Sequence, residues 1–221
     1  MLTIICQRLM RKGLSVLLAS RRCLRIRAKK DIVYFAYGAN MNASILDCLG
    51  LDFSLIGVAR LNDWALTIDV PCEYLGVGYA SVIPKIGSSV FGVLYRLDSL
   101  SFAQLRVAEW APFGFYKVAQ DRVEAITGEI FLETKFFIAG YPRDGLSVPE
   151  EYKQALISSA TVFNFPSGYI EDLIDLSTRE PIVLDHEFNL FAPGKRRIFF
   201  SRFPRLVQIN DLIREWLSKR I

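Results

Sequence analysis

Short apolar segments rich in β-branched and aromatic residues follow one another from residue 32 to residue 139. Segments of this kind, bounded by glycine, proline or polar residues, are typical of β-strands. A tight turn at residues 85–88 (KIGS) is expected to join the fourth strand to the fifth. The predicted strands are Ile32–Tyr37, Ile56–Leu61, Trp64–Val70, Tyr79–Pro84, Val90–Leu97, Phe115–Glu124 and Glu129–Ala139.

Helical spacing of apolar residues is found in other segments, most of them late in the chain. An asparagine caps the first of these, which is a short helix or turn, and Asp98 or Ser99 caps the second. Because strands come first and helices cluster late, the order favours an α+β fold with a curved or closed antiparallel sheet over a doubly wound fold. The predicted helices are Asn42–Leu49, Asp98–Glu109, Glu150–Phe163 and Ser167–Leu176, with a terminal candidate at Asp211–Arg220.

The distribution of charge divides the chain into three parts. Its 221 residues are 52% apolar, which is enough for one core and indicates one domain or at most two. Nine of the 27 lysines and arginines lie in residues 1–30, which contain no acid, so 18 basic residues face 23 acidic ones in the rest. We therefore expect a basic leader at 1–30, a domain at 31–185 and a C-terminal extension at 186–221 packed on that domain.

The basic leader has more than one interpretation. An arginine-rich, acid-free and weakly amphipathic segment resembles an organelle transit peptide, and it also fits an incidental tail, a start assigned too far upstream, or a surface-binding arm. We expect a cytoplasmic protein, or a mitochondrial one if the leader is a transit peptide. The longest apolar runs are far shorter than the ~20 residues that cross a bilayer, so no transmembrane segment is expected.

The C-terminal extension is basic and aromatic, as in the stretch PGKRRIFFSRFPRL. This composition fits an edge hairpin and a docked helix with solvated arginines. It also fits a surface for nucleic acid or an acidic partner, but no recognised nucleic-acid-binding module accompanies it. The sequence therefore disfavours nucleic acid as a partner, and no feature specifies an oligomeric state.

Several kinds of site lack sequence support. The four cysteines are scattered and His186 is the only histidine, so neither a zinc site nor a Cys/His catalytic pair is expected. Free thiols in a reducing compartment are the plain expectation. The phosphate-binding glycine motifs and the G-x-S-x-G nucleophile motif are absent from the sequence. We expect no cofactor and no metal.

Two features remain as candidates for chemistry: the strand-to-glycine junction at Tyr37-Gly38-Ala39-Asn40 and the acid Glu109. Glu109 stands between the apolar stretches VA and WAP. Such surroundings would desolvate the carboxyl and raise its pKa, as suits a general base that later acts as an acid. An exposed glutamate at a helix end is the alternative.

The ordered segments VYFAYGANM, GVGYASVIP, VFGVLYRLD, LRVAEWAPFGFYKV and EEYKQAL resemble the gamma-glutamylcyclotransferase family. That family has a Tyr-Gly-Ser-Asn loop after its first strand, a Leu-(x)3-Glu-Gly stretch, a tyrosine seven residues after the glutamate, and a later helical tyrosine. Here these positions match residues 37–40, Glu109, Tyr116 and Tyr152. The match spans roughly residues 32–176, with two departures: Ala39 replaces the serine and Trp110 replaces the glycine.

The resemblance implies a small barrel-like antiparallel sheet flanked by helices. It implies cyclisation of a small gamma-glutamyl substrate to 5-oxoproline with release of an amine, without metal or cofactor. Glu109 would be the catalytic acid and base. The backbone of Tyr37, Gly38, Ala39 and Asn40 would bind the substrate's carboxylate or oxyanion, and Tyr116 and Tyr152 would position the substrate. A catalytically altered or inactive binding or adaptor protein is the alternative.

Overall fold

The computed structural model describes residues 31–72 and 76–180. The described residues belong to one compact unit. Five strands and four α-helices follow one another in the order β1 (Ile32–Ala36), α1 (Ala43–Cys48), β2 (Phe53–Cys72), β3 (Val77–Leu97), α2 (Ser99–Ala108), β4 (Tyr116–Ala125), β5 (Ile130–Ala139), α3 (Glu150–Val162) and α4 (Ser167–Ile174).

The five strands close into a barrel with the order β1-β3-β2-β4-β5. Four of the five pairings are antiparallel, and only the closing one, where Tyr34 of β1 lies opposite Lys135 of β5, is parallel. Closure pairs each strand with a neighbour on both sides. The α+β class and the closed, mainly antiparallel barrel flanked by helices, which the sequence predicted, are confirmed.

Two long strands replace four of the predicted short ones. Residues 56–61 and 64–70 are parts of the single strand β2, and residues 79–84 and 90–97 are parts of β3. Both parts of β3 pair with β2. Residues 85–88 are therefore a bulge-like irregularity within one strand rather than a hairpin turn. The register shifts there because Asp63 adopts a φ of 62° and its carboxylate accepts a hydrogen bond from the Gly87 N–H at 2.9 Å.

The apolar residues form two clusters, one inside the barrel and one beneath the helices. The inner cluster takes its buried members from the strands and the residue after β1, among them Phe35, Leu61 and Phe136. The outer cluster joins the other face of β1 to the helices, with Tyr34 and Leu156 among its buried members. This division follows from the strand period of two, which sends neighbouring side chains of β1 to opposite faces.

The helix starts are set by local side-chain hydrogen bonds. The Asn42 side chain accepts from the Ser44 N–H at 3.0 Å and caps α1. The Asp98 side chain accepts from the Ser101 N–H at 2.7 Å, which identifies Asp98 as the cap of α2. Helix α2 is one residue shorter at each end than predicted, so that Glu109 is its C-terminal cap rather than its last helical residue.

Three sequence predictions concern residues outside the described part of the chain. These are the leader at 1–30, the extension at 186–221 with its terminal helix, and the domain boundary at 185. They stay predictions. Among the described residues, no helix combines the length and the apolar character needed to span a bilayer.

Candidate active site

Hydrogen bonds near both ends of the loop at residues 37–40 connect it to the barrel. The Tyr37 hydroxyl donates to the carbonyl oxygen of Phe137 in β5 at 2.5 Å. One short 3-10 turn spans Ala39–Met41, and the carbonyl oxygen of Met41 accepts from the Tyr95 hydroxyl at 2.6 Å. The loop therefore has a fixed conformation at the end of β1.

Glu109 reaches this loop directly. Its Oε1 accepts a hydrogen bond from Nδ2 of Asn40 at 2.6 Å, across 69 residues of sequence. The same Nδ2 donates its second hydrogen to the hydroxyl oxygen of Tyr34 at 3.1 Å. Glu109 is thus not an exposed glutamate pointing away from the loop, which was the alternative considered from the sequence.

The end of helix α2 explains the direction of the Glu109 side chain. The Glu109 N–H still bonds to the Leu105 carbonyl at 2.9 Å, and the next residue, Trp110, turns the chain out of the helix with φ 53° and ψ 25°. This left-handed conformation favours glycine and costs other residues roughly 1–2 kcal/mol. Trp110 therefore adopts this turn at the cost of backbone strain.

Two tyrosine hydroxyls meet at the Ala80 main chain in β3. Tyr116, the first residue of β4, donates to the Ala80 carbonyl oxygen at 2.9 Å. Tyr152, in the first turn of α3, accepts from the Ala80 N–H at 3.4 Å. A hydrogen bond from the Ala39 main chain also reaches the Tyr152 hydroxyl. Strand β3 thereby holds both phenols beside the loop.

Gly38 lies against one of these phenols. A Cβ atom at this position would stand 3.2 Å from the Tyr152 hydroxyl oxygen. Such a contact is tight, so a side chain here would displace the hydroxyl or the loop. The need for close approach between loop and phenol accounts for glycine in the turn.

Burial dominates the electrostatics of the site. Desolvation raises the pKa of Glu109 above its ordinary value, and the hydrogen bond from Asn40 opposes that rise. Desolvation also raises the pKa of Tyr37, Tyr116 and Tyr152, and the Glu109 charge adds to each rise. The phenols therefore stay protonated and neutral beside the Glu109 carboxyl.

The structure thus brings together all the residues singled out from the sequence, namely Tyr37, Gly38, Ala39, Asn40, Glu109, Tyr116 and Tyr152. Sequence reasoning missed Tyr34 and the main chain of Ala80. A polar hydroxyl within an otherwise apolar buried strand is the signal that could have indicated Tyr34. In the described part of the chain, no group of three or more His, Cys, Asp or Glu side chains could hold a metal ion.

Comparison with solved structures decides the fold family. A protein named gamma-glutamyl cyclotransferase superposes with a TM-score of 0.63 at 20% identity, covering 68% of this chain and 90% of that one. An uncharacterised human protein gives a TM-score of 0.62 at 21% identity over the same shares of the two chains. The chain has the gamma-glutamylcyclotransferase fold. This confirms the fold that the resemblance implied.

Sequence comparison with curated proteins also finds gamma-glutamylcyclotransferases. A mouse gamma-glutamylcyclotransferase is 24% identical over 155 residues, which cover 68% of this chain and 81% of the relative. The human gamma-glutamylcyclotransferase is 22% identical over 149 residues, which cover 66% of this chain and 78% of the relative. No family model matches the sequence. The similarity to gamma-glutamylcyclotransferases thus extends over about two thirds of the chain.

Proposed function

We propose that this protein is a gamma-glutamylcyclotransferase-type enzyme, which converts a gamma-glutamyl amino acid or amine to 5-oxoproline and releases the amine. The observation that carries the proposal is the hydrogen bond between Glu109 and Asn40 of the loop, beside the hydroxyls of Tyr34, Tyr116 and Tyr152. This arrangement joins the acid to the loop that the family resemblance pairs with it.

The reaction needs one group that both removes and returns a proton. The substrate's own alpha-amine attacks its gamma-amide carbonyl, so the reactants are already tethered and the protein has to fold the glutamyl group into the attacking shape. Glu109 takes a proton from the alpha-ammonium, the new C–N bond closes the five-membered ring, and the old amide C–N bond breaks. Glu109 then gives the proton to the departing amine, and the ring nitrogen passes its second proton to the same amine, which leaves as an ammonium ion. A carboxyl whose pKa is raised by burial suits both transfers.

The two phenols offer complementary contacts to such a substrate. The Tyr152 oxygen accepts main-chain hydrogen bonds, which leaves its O–H to donate to a carboxylate or oxyanion of the substrate. The Tyr116 hydroxyl donates to Ala80, which leaves its oxygen lone pairs to accept from an ammonium group. The alpha-carboxylate and the alpha-ammonium of a glutamyl group would therefore each find a partner of the right kind.

The two departures from the family are compatible with this reaction. Replacing serine by Ala39 removes a hydroxyl, but the Ala39 main chain still takes part in hydrogen bonding at the site. Trp110 follows Glu109 directly, is 39% exposed, and packs edge-on against Phe115 at 5.9 Å between ring centroids. We propose that the indole influences which leaving amine is accepted rather than whether cyclisation occurs.

The direct test measures 5-oxoproline formed from a panel of gamma-glutamyl dipeptides, gamma-glutamyl amines and glutathione. We expect turnover of at least one substrate class by the wild-type protein. Glu109→Gln should lower kcat by about 10²- to 10⁴-fold, the usual loss when a general acid–base is removed. Circular dichroism and thermal unfolding of the variant serve as the folding control.

Two outcomes would contradict the proposal. One is a folded wild-type protein that forms no 5-oxoproline from any member of the panel. In that case saturable binding of a gamma-glutamyl compound without turnover would support the alternative of a non-catalytic binding protein. The other is a Glu109→Gln variant with full activity, which would remove Glu109 from the proposed role.

A further inference from the structure

The Asn40 amide lies between two oxygen atoms, and only one of them belongs to Glu109. Its Nδ2 donates to Glu109 Oε1 at 2.6 Å and to the Tyr34 hydroxyl oxygen at 3.1 Å. A primary amide nitrogen carries two hydrogens, so both are used. Rotation of the amide about its final bond would break the two hydrogen bonds together.

Tyr34 is well placed to act as a rigid anchor. It lies in β1, is 3% exposed, and its ring packs edge-on against Phe137 at 5.7 Å and tilted against Phe102 at 6.3 Å. Burial raises its pKa well above the ordinary value, and the nearby Glu109 charge raises it further, so the hydroxyl stays neutral at any working pH. A neutral hydroxyl oxygen of fixed position can accept the second amide hydrogen.

We propose that the Tyr34 hydroxyl is a positioning group that anchors the Asn40 amide and so fixes its nitrogen against Glu109. This inference rests on the proposed role of Glu109 as the acid–base group. An ionised carboxylate accepts hydrogen bonds and cannot donate them, so it selects the nitrogen face of the amide. Tyr34 holds that face in place by receiving the other hydrogen.

The consequence of this anchoring is a bias of Glu109 toward its ionised form. A hydrogen bond to the charged form lowers a carboxyl pKa, and the Asn40 contact does so against the effect of burial. The ionised form is the one that can take a proton from the substrate's alpha-ammonium. Without Tyr34 the amide would rotate more freely, the hydrogen bond to Glu109 would weaken, and the carboxyl would stay protonated to higher pH.

The other groups around Glu109 do not provide this bias. Tyrosines from three other places face it, namely Tyr37 of the loop, Tyr116 of β4 and Tyr152 of α3, and the Glu109 charge acts on each. Burial keeps all three protonated. The hydroxyls of Tyr37 and Tyr116 donate to main-chain carbonyls, and that of Tyr152 accepts from Ala80. Among the residues that the structure describes, the Asn40 side chain is the one that lowers the pKa of Glu109 through a hydrogen bond.

The primary test titrates Glu109 without any substrate, so it does not depend on the proposed reaction. The full-length protein is labelled with ¹³C at glutamate carboxyls, and Glu109 is assigned by the signal that Glu109→Gln removes. Tyr34→Phe keeps the ring and removes only the hydroxyl, and it should move the Glu109 midpoint upward by about half to one pH unit. An unchanged midpoint in a folded variant would overturn the proposal.

A partly buried tyrosine on which the Glu109 charge does not act gives the matched control. Tyr169 also contacts a main-chain carbonyl, that of Phe91 at 3.5 Å, and within residues 31–72 and 76–180 the charged side chain that acts on it is Asp172. Tyr169→Phe should leave the Glu109 midpoint where it is. A shift equal to that of Tyr34→Phe would mean that loss of any buried hydroxyl perturbs the site, and would contradict the specific role of Tyr34.

A double-mutant cycle tests whether Tyr34 acts through Asn40. Asn40→Ala alone should raise the Glu109 midpoint, and adding Tyr34→Phe to it should produce no further rise. An equal shift with and without Asn40 would overturn the anchoring role. If Tyr34→Phe does not fold, the wild-type protein still decides the matter. The Asn40 side-chain NH₂ signals should then move with the Glu109 titration and show contacts to the Tyr34 ring, and absence of either result would overturn the proposal.

The same variant separates this inference from the proposed function. If the wild-type protein forms 5-oxoproline, Tyr34→Phe should shift the acid limb of the kcat/KM profile to higher pH. A shifted carboxyl titration in a protein without turnover would retain the anchoring role and reject the enzyme. Turnover with an unshifted titration would retain the enzyme and reject the anchoring role.

Discussion

Trp110 adopts a backbone conformation that its side chain disfavours. Its φ of 53° lies in the left-handed region, and the residue stands directly after the proposed acid–base group. The carbonyl oxygen of Trp110 accepts from the Phe115 N–H at 3.3 Å, and the two aromatic rings contact each other. Strained conformations persist where the surrounding structure holds them, and they cluster at functional sites.

The backbone strain at Trp110 can be measured by comparing two truncations. Trp110→Ala and Trp110→Gly both remove the indole, but only glycine relieves the left-handed strain. We therefore expect the glycine variant to be more stable than the alanine variant by about 1 kcal/mol in free energy of unfolding, the reverse of their order in a helix. Urea unfolding of both variants gives this difference. Equal stabilities would show that the turn carries no strain.

Gly38 is expected to matter for activity more than for stability. In Gly38→Ala the new Cβ would stand 3.2 Å from the Tyr152 hydroxyl oxygen, so the hydroxyl would have to shift by a few tenths of an ångström. Small misplacements of a positioning group cost large factors in rate, so we expect kcat/KM for 5-oxoproline formation to fall by about tenfold. Thermal unfolding should change by only a few degrees.

Gly168 supplies a matched control for that substitution. It lies in α4, and a Cβ there would meet nothing within 4 Å. Gly168→Ala should leave kcat/KM unchanged and raise stability slightly, because alanine favours a helix over glycine by about 1 kcal/mol. A loss of activity in both variants would place the cause outside the Gly38–Tyr152 contact.

At the scale of elements, the contact between β1 and β3 sets the position of the loop. Ala36 at the end of β1 lies opposite Val93, and the neighbouring Gly92 is so close that its Cβ would stand 2.4 Å from the Ala36 carbonyl oxygen. The same Cβ would meet the Phe35 ring at 2.6 Å. The strand therefore needs glycine here because a backbone atom and a buried ring occupy the space.

Gly92→Ala should consequently destabilise the barrel. Overpacking a close-packed core costs about 1–3 kcal/mol, and a clash with main chain cannot be relieved by a rotamer change. We expect the free energy of unfolding to fall by at least about 2 kcal/mol in urea titration. A variant with wild-type stability would show that β1 and β3 can separate freely, and the loop position would then need another explanation.

At the scale of the whole molecule, barrel closure brings the site together from distant parts of the chain. The loop after β1 meets Glu109, which lies 69 residues away from Asn40, and Tyr152 reaches the same place from α3. Burial by the assembled layers, rather than any local feature, raises the pKa of Glu109. Folding therefore acts against ionisation of the group that the proposed reaction uses.

This opposition predicts a pH-dependent gain of stability in Glu109→Gln. An acid whose pKa is higher in the folded state is stabilising below its unfolded pKa of about 4.3, and that contribution is lost as pH rises through the folded pKa. Glutamine imitates the neutral form at every pH. The variant should match the wild-type protein near pH 4 and exceed it in free energy of unfolding near pH 8.

Urea unfolding across that pH range measures the effect. Glu124→Gln is a suitable control because the Glu124 pKa is shifted downward, chiefly by the hydrogen bond from Arg60, so its substitution should not stabilise the protein at pH 8. A Glu109→Gln variant less stable than the wild-type protein at pH 8 would contradict the desolvation of the carboxyl. A difference in free energy of unfolding that stays constant at all pH values would also contradict it.

The sequence alone determined the local elements and the identity of the candidate residues. Apolar runs rich in β-branched and aromatic residues placed the strands, a cap at Asp98 or Ser99 placed the start of α2, and the ordered motifs singled out Glu109 and the loop. These signals are local because propensity, capping and period depend on neighbours within a few positions. They did not show that residues 56–61 and 64–70 form one strand, since a bulge around Asp63 resembles a strand end.

Tertiary structure decided how these residues work together. Sequence spacing gave no sign that Asn40 donates to Glu109, that Tyr34 shares the same amide, or that Ala80 anchors two phenols. Each of these contacts joins strands or helices that meet only when the barrel closes. Burial and its effect on the pKa of Glu109 are properties of the packed layers, because desolvation depends on atoms from the whole fold rather than on neighbours in sequence.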